Sequence, residues 1–135
     1  MASFPCNLGS SEHAAKFSLP NLSTFGNHIY VTWDSSSGLT AFWFNGKCTE
    51  NKIYQKGHHV LPSGRVILGQ DQDKFGSSFD SKQSFVGEIS DVQLWNFVLP
   101  SNAIKEVHKG KSKTLGNIIN WKSIRYALYG KVIAI

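Results

Sequence analysis

Residues 39–55 read LTAFWFNGKCTENKIYQ, and this stretch decides the fold class. Leu39, Ala41 and Trp43 alternate with Thr40, Phe42 and Phe44. Alternation at period two places each set on one face of a strand. Both sets carry aromatic residues, so the strand has both faces covered, as inside a sandwich. The run stops at Asn45-Gly46, the dipeptide that favours a two-residue type I′ hairpin turn. Lys47 to Gln55 then returns as the partner strand.

Working outward, His28 to Trp33 (HIYVTW) is β-rich in type, and Asp34-Ser35-Ser36-Ser37-Gly38 is a turn. Ala15 to Leu19 reads as a short strand ended by Pro20, and residues 1–13 as an irregular segment. On the other side come Val66–Leu68, Val86–Phe97, Asn117–Trp121 and Tyr126–Ile135, each expected to be extended. One helix is expected, from Ser101 to Lys109. Ser101 is placed to cap it, Ile104 and Val107 share a face, and Gly110 is placed to end it. Many short strands, turn signals and one short helix predict an all-β, antiparallel β-sandwich.

The chain has 135 residues, 41% hydrophobic and 17% charged, enough for one domain with a single core. No apolar run approaches the about 18 residues needed to span a membrane. The first residues show no basic segment followed by an apolar one, so no signal peptide is visible. The net charge of +5 is unevenly placed. Lys105, Lys109, Lys111, Lys113, Lys122, Arg125 and Lys131 face Glu106 alone in residues 101–135. Residues 71–91 hold Asp71, Asp73, Asp80, Glu88 and Asp91 against Lys74 and Lys82. Acidic loop and basic segment side by side suit a cation site better than a nucleic-acid platform, and no nucleic-acid partner is expected. The lysines offer contact to phosphate or anionic lipid, or simply keep the surface soluble.

The acidic region centres on RVILGQDQDKFGSSFDSKQ, residues 65–83. A short apolar run stops at Gly69, a polar arc follows, and a second strand begins at Phe85. Asp71, Asp73 and Asp80 supply carboxylates, and Gln72 and Gln83 supply amide oxygens. Gly76, Ser77 and Ser78 let the arc curl back so that both ends face each other. Calcium takes six to eight such hard oxygens in a tolerant geometry. The spacing is not that of an EF-hand, and a solvated acidic loop has the same composition.

No catalytic set stands out: there is no G-x-S-x-G, no H-E-x-x-H and no phosphate-cradling glycine motif. An enzyme is not expected. His58 and His59 are adjacent, which on a strand sends them to opposite faces and away from a shared ion. Cys6 and Cys48 lack metal-ligand spacing; they either pair in an oxidising compartment or stay free thiols. Asn21-Leu22-Ser23 is a formal glycosylation sequon.

HIYVTWDSSSG, AFWFNGK, ILGQDQDKFGSSFDSKQSFVGEISDVQLWNFVLP and NIINWKSIRYALYGKVI occur in the order in which similar blocks occur in the short pentraxins, the family of C-reactive protein and serum amyloid P component. Residues 14–135 resemble the C-terminal part of that domain. The resemblance implies a lectin-like jelly roll assembled as a homopentamer, secreted, and active in innate immunity. It implies two calcium ions per subunit, through which phosphocholine, phosphoethanolamine or carbohydrate groups are bound. Carried over by position, Asp71 stands where the family usually has Glu. Gln72 contributes its main-chain oxygen, Asp73 bridges both ions, and Asp80 and Gln83 complete the second site.

The resemblance also implies departures. The chain is expected to be N-terminally truncated, without the Asp-Asn pair that finishes the first calcium site or the apolar residue that meets the choline methyls. In the family motif H-x-C-x-S/T-W, His28, Thr32 and Trp33 fit, while Tyr30 replaces the cysteine. Loss of strands is expected to strip packing partners from Phe42, Trp43, Phe44 and Trp95 and to leave a marginal, aggregation-prone chain. Two further readings are a non-functional product of a decayed gene and a calcium-independent binder of anionic surfaces.

Overall fold

In a computed structural model the described residues are 15–62, 64–70, 82 and 84–134. Three strands form the main sheet: β1 (Ile29–Trp33), β2 (Leu39–Phe44) and β3 (Lys47–Ile53), in the order β1-β2-β3. Both pairings are antiparallel. The loop between β1 and β2 is built on Asp34. Its carboxylate accepts hydrogen bonds from the Ser36 main chain at 3.1 Å and from the Ser37 hydroxyl at 2.6 Å. Those hydroxyls, Ser37 first, hold the Asp34 carboxyl below its ordinary pKa.

The β2–β3 connection is the expected I′ turn. Asn45 and Gly46 have φ of 48° and 76°, the left-handed pair that this turn requires. A bulge follows at Thr49: Phe42 faces Glu50 whereas Trp43 faces Cys48, and the Thr49 hydroxyl donates to the Phe42 carbonyl at 3.1 Å.

The helix α1 (Ser101–His108) leans on this sheet. Ser101 is not its cap. Pro100 occupies that position with φ −67° and ψ 154°, and no side chain caps the first turn. The proline ring already holds φ at a cap-compatible value, so the entry is fixed by backbone geometry and by buried Leu99. The C-terminal end follows expectation. Gly110 (φ 66°) donates to the Val107 carbonyl at 2.9 Å and Lys111 to the Glu106 carbonyl at 3.0 Å, a Schellman closure.

The core lies between α1 and one face of β1–β2. Ala41, Trp43, Leu99 and Ile104 form it, with Tyr30, Trp95, Ala103 and Val107 packed against them. The opposite face of β2 is covered too, where Phe17 stacks on Phe42 at 5.3 Å. Phe42, Trp43 and Phe44 are therefore buried, at 3, 8 and 7% exposure. The expectation that they lose their packing partners fails, because α1 and the Phe17 segment cover them. Apolar exposure falls elsewhere, on Phe25, Leu61, Val86, Tyr129 and Ile133 among others.

A second, two-stranded sheet joins β4 (Gln93–Leu94) to β5 (Ile119–Asn120). Asn96 and Asn117 extend it by side-chain bonds at 2.7 and 3.1 Å. Within the described residues, Ala15–Leu19, Val66–Leu68 and Tyr126–Ala134 are not strands, and Val86–Phe97 and Asn117–Trp121 shrink to β4 and β5. Outside β4 and β5 these segments have β-type composition but no ladder partner among the described residues.

Candidate metal centre

The donors expected for a cation, Asp71, Gln72, Asp73, Asp80 and Gln83, all lie outside the described residues. The neck that carries them is described. Val66 to Leu68 reach Gly69, whose φ of 84° turns the chain out of its extended course. The Phe85 N–H donates to the Gly69 carbonyl at 2.9 Å. One residue inward, the Ser84 hydroxyl donates to the Gln70 side-chain oxygen at 2.8 Å, across fourteen positions of chain. Every expected donor lies between these two cross-links. Joining the two ends of a segment lowers the entropic cost of gathering ligands from within it.

Among the described residues no group of three His, Cys, Asp or Glu is arranged to hold a metal. His58 lies against Trp33, ring centres 6.2 Å apart, and His59 is exposed. Cys48 is an exposed free thiol whose Sγ donates to Asn51 Oδ1 at 3.3 Å. Cys6 lies outside the described residues. Asn21 is exposed. The basic residues from Lys105 to Lys131 are exposed apart from half-buried context at their neighbours, and Lys109 meets Glu106 at 3.5 Å.

Each residue of the His28–Trp33 motif has a structural task. The His28 main chain is clamped to Asn45, its N–H donating to Oδ1 and its carbonyl accepting from the Asn45 N–H, both at 2.8 Å. Tyr30 turns toward α1 and meets Trp95, ring centres 5.6 Å apart. Burial pushes its phenol up to about 12. Thr32 is buried at 9% exposure. Trp33 Nε1 donates to the Tyr54 carbonyl at 2.9 Å, fastening β1 to the chain that leaves β3.

One cluster was missed by the sequence reading. His28 and His108 face each other with ring centres 5.4 Å apart, and the carboxylate of Asp91 acts on His28. The sequence signal was that His108 lies four positions after Ile104, on the same side of the helix, although His108 itself is exposed. Beside this cluster a shallow cleft between β4 and the loop after α1 is lined by Asp91, Gln93, Trp95, Val107, Thr114 and Lys122.

The family model described as the Pentaxin family matches residues 3–135. The chain belongs to the pentraxin family. It is 45% identical over 125 residues to the C-reactive protein of Danio rerio, covering 92% of this pentraxin and 56% of that protein. It is 44% identical over 120 residues to the mucosal pentraxin of Rattus norvegicus, covering 89% and 52%. Among solved structures, the native heptameric SAP-like pentraxin from Limulus polyphemus superposes with a TM-score of 0.66 at 32% identity, over 70% of this chain and 45% of that one. This pentraxin thus shares the β-sandwich fold of its relatives and spans about half their length. No helix among its described residues is long and apolar enough to cross a membrane.

Proposed function

We propose that this chain carries a calcium-dependent ligand-binding site in the arc between Gln70 and Ser84. The observation that carries the reading is the double cross-link at its neck, Gly69 to Phe85 and Gln70 to Ser84, which holds both ends of a donor-rich segment together. Asp71, Asp73 and Asp80 give carboxylates, Gln83 an amide oxygen and Gln72 a main-chain oxygen. Asp73 sits between the two donor groups in sequence and bridges them. Bound calcium supplies an electropositive centre that oxygen atoms of a phosphate, such as that of phosphocholine or phosphoethanolamine, or of a sugar coordinate directly. Family membership supports pattern recognition as the role, secretion as the route and ring assembly as the quaternary form.

The test is a calcium titration of the purified chain, followed by its thermal midpoint, with Asp73→Asn as control. Calcium at about 100 times its dissociation constant adds ~2.7 kcal/mol to folding stability. Affinity is expected near the ~10⁻⁴–10⁻³ M of extracellular calcium modules. A calcium-dependent rise abolished by Asp73→Asn supports the site. A midpoint indifferent to calcium overturns it and leaves ancestry without this activity. Retention on anionic vesicles that ignores chelators but falls steeply with salt assigns binding to the lysines instead.

A further inference from the structure

We propose that the contact between His28 and His108 is an acid-sensitive latch, which seats the C-terminal turn of α1 on the β2–β3 turn at neutral pH and releases it when the His28 imidazole takes up a proton. The inference is independent of the calcium site.

The His28 backbone is tied to the contact. Both its main-chain polar groups are bound to Asn45, so its Cα is held by the hairpin turn. His108 approaches from the other side. A Cβ built on Gly46 would stand 2.7 Å from His108 Cδ2, closer than real Cβ atoms approach any neighbour. Only a glycine leaves room for this ring. One helical turn earlier, Ile104 is 1% exposed. His108, one turn later, is exposed overall, and its ring reaches the β2–β3 turn from the end of the helix.

The contact suits neutral rings and opposes charged ones. His28 Nδ1 is buried with no hydrogen-bond partner, so a proton there would create a cation without an acceptor. Burial, then the neighbouring His108, lower the His28 pKa, and Asp91 partly offsets them. The groups facing the His28 ring are His108 from α1 and Asp91 from the segment before β4; the β2–β3 turn contributes neutral Asn45 and Gly46. A folded-state pKa below the unfolded value of about 6.5 means that docking stability is complete above that pH. It is lost as pH falls through the lower, folded value. His28 is the sensor and α1 the moving part.

The experiment is amide hydrogen exchange of α1, corrected for intrinsic rates, on the whole chain between pH 8 and pH 5. The last turn of α1 is expected to exchange at least tenfold faster at pH 5, while β2 stays protected. His28→Phe keeps an aromatic ring at the contact without a titratable nitrogen and should abolish the acid response. Should that variant fail to fold, the wild-type His28 imidazole is titrated by NMR. A His28 pKa at or above 6.5, an α1 exchange rate that tracks β2 at every pH, or an unchanged acid response in His28→Phe would each overturn the latch.

Discussion

The Phe85 N–H donates to the Gly69 carbonyl at 2.9 Å, and this one bond sets where the donor-rich arc begins and ends. Ser84 and Gln70 repeat the closure one residue inward through their side chains. The two bonds hold together the chain on either side of the segment that carries the expected donors.

Removing the inner bond should therefore weaken calcium without abolishing it. Ser84 is exposed, so its bond contributes at the low end of the usual range, about 0.5 kcal/mol. Ser84→Ala is expected to raise the calcium dissociation constant about twofold, measured by calorimetric titration beside Asp73→Asn. A loss as large as that of Asp73→Asn would mean that Ser84 is itself a donor and that the neck extends into the site.

Gly46 answers to two constraints at once, its φ of 76° and the ring of His108. Gly46→Ala should cost about 1–2 kcal/mol for the left-handed backbone alone and more for the displaced ring. His108→Ala removes the second part and not the first. A double-mutant cycle in urea should then show a coupling of at least about 0.5 kcal/mol between the two sites. Additive losses would mean that the helix end yields freely and that the ring contact is loose.

Ile104 is the most buried side chain among the described residues and joins α1 to Trp43 and Leu99. Ile104→Ala is expected to cost about 2–5 kcal/mol. A small core makes that a large share of the whole, so the variant should lose its near-ultraviolet aromatic signal at room temperature. Retention of a cooperative melt within a few degrees of wild type would place the stability outside this core.

What was legible in the sequence was local. Asn45-Gly46 declared its turn because φ of 48° and 76° is a demand on two neighbouring residues. The alternation of Leu39–Phe44 declared a strand with two covered faces because burial period is written into consecutive positions. Gly110 declared the helix end in the same way. What failed depended on partners far along the chain. Val66–Leu68 and Tyr126–Ala134 have strand-type residues, yet a strand exists only where a neighbour completes its hydrogen bonds. Ser101 looked like a cap because serine favours that position, but Pro100 already fixed the backbone there. The expected donors were named from residue types alone and lie outside the described residues, whereas the neck, which joins Gln70 to Ser84, was not legible in the sequence.

Tyr30 gives a prediction on the alkaline side. Its ring projects from β1 against Trp95 and the core cluster. Burial favours the neutral phenol and pushes its pKa up to about 12, against about 10 for an exposed tyrosine. Between those values the folded chain holds a proton that the unfolded chain has released. Its contribution to stability is therefore complete below pH 10 and is lost as pH rises through 12. Phenolate absorbance of the four tyrosines should show a late step near pH 12 that coincides with loss of the aromatic circular dichroism of the Trp95 region. Tyr30→Phe should remove that step and flatten the decline of the urea midpoint between pH 10 and pH 11.5. A wild-type titration complete by pH 11 with tertiary structure intact would mean that solvent reaches the Tyr30 hydroxyl, and that the aromatic pair with Trp95 leaves the phenol oxygen outside the core.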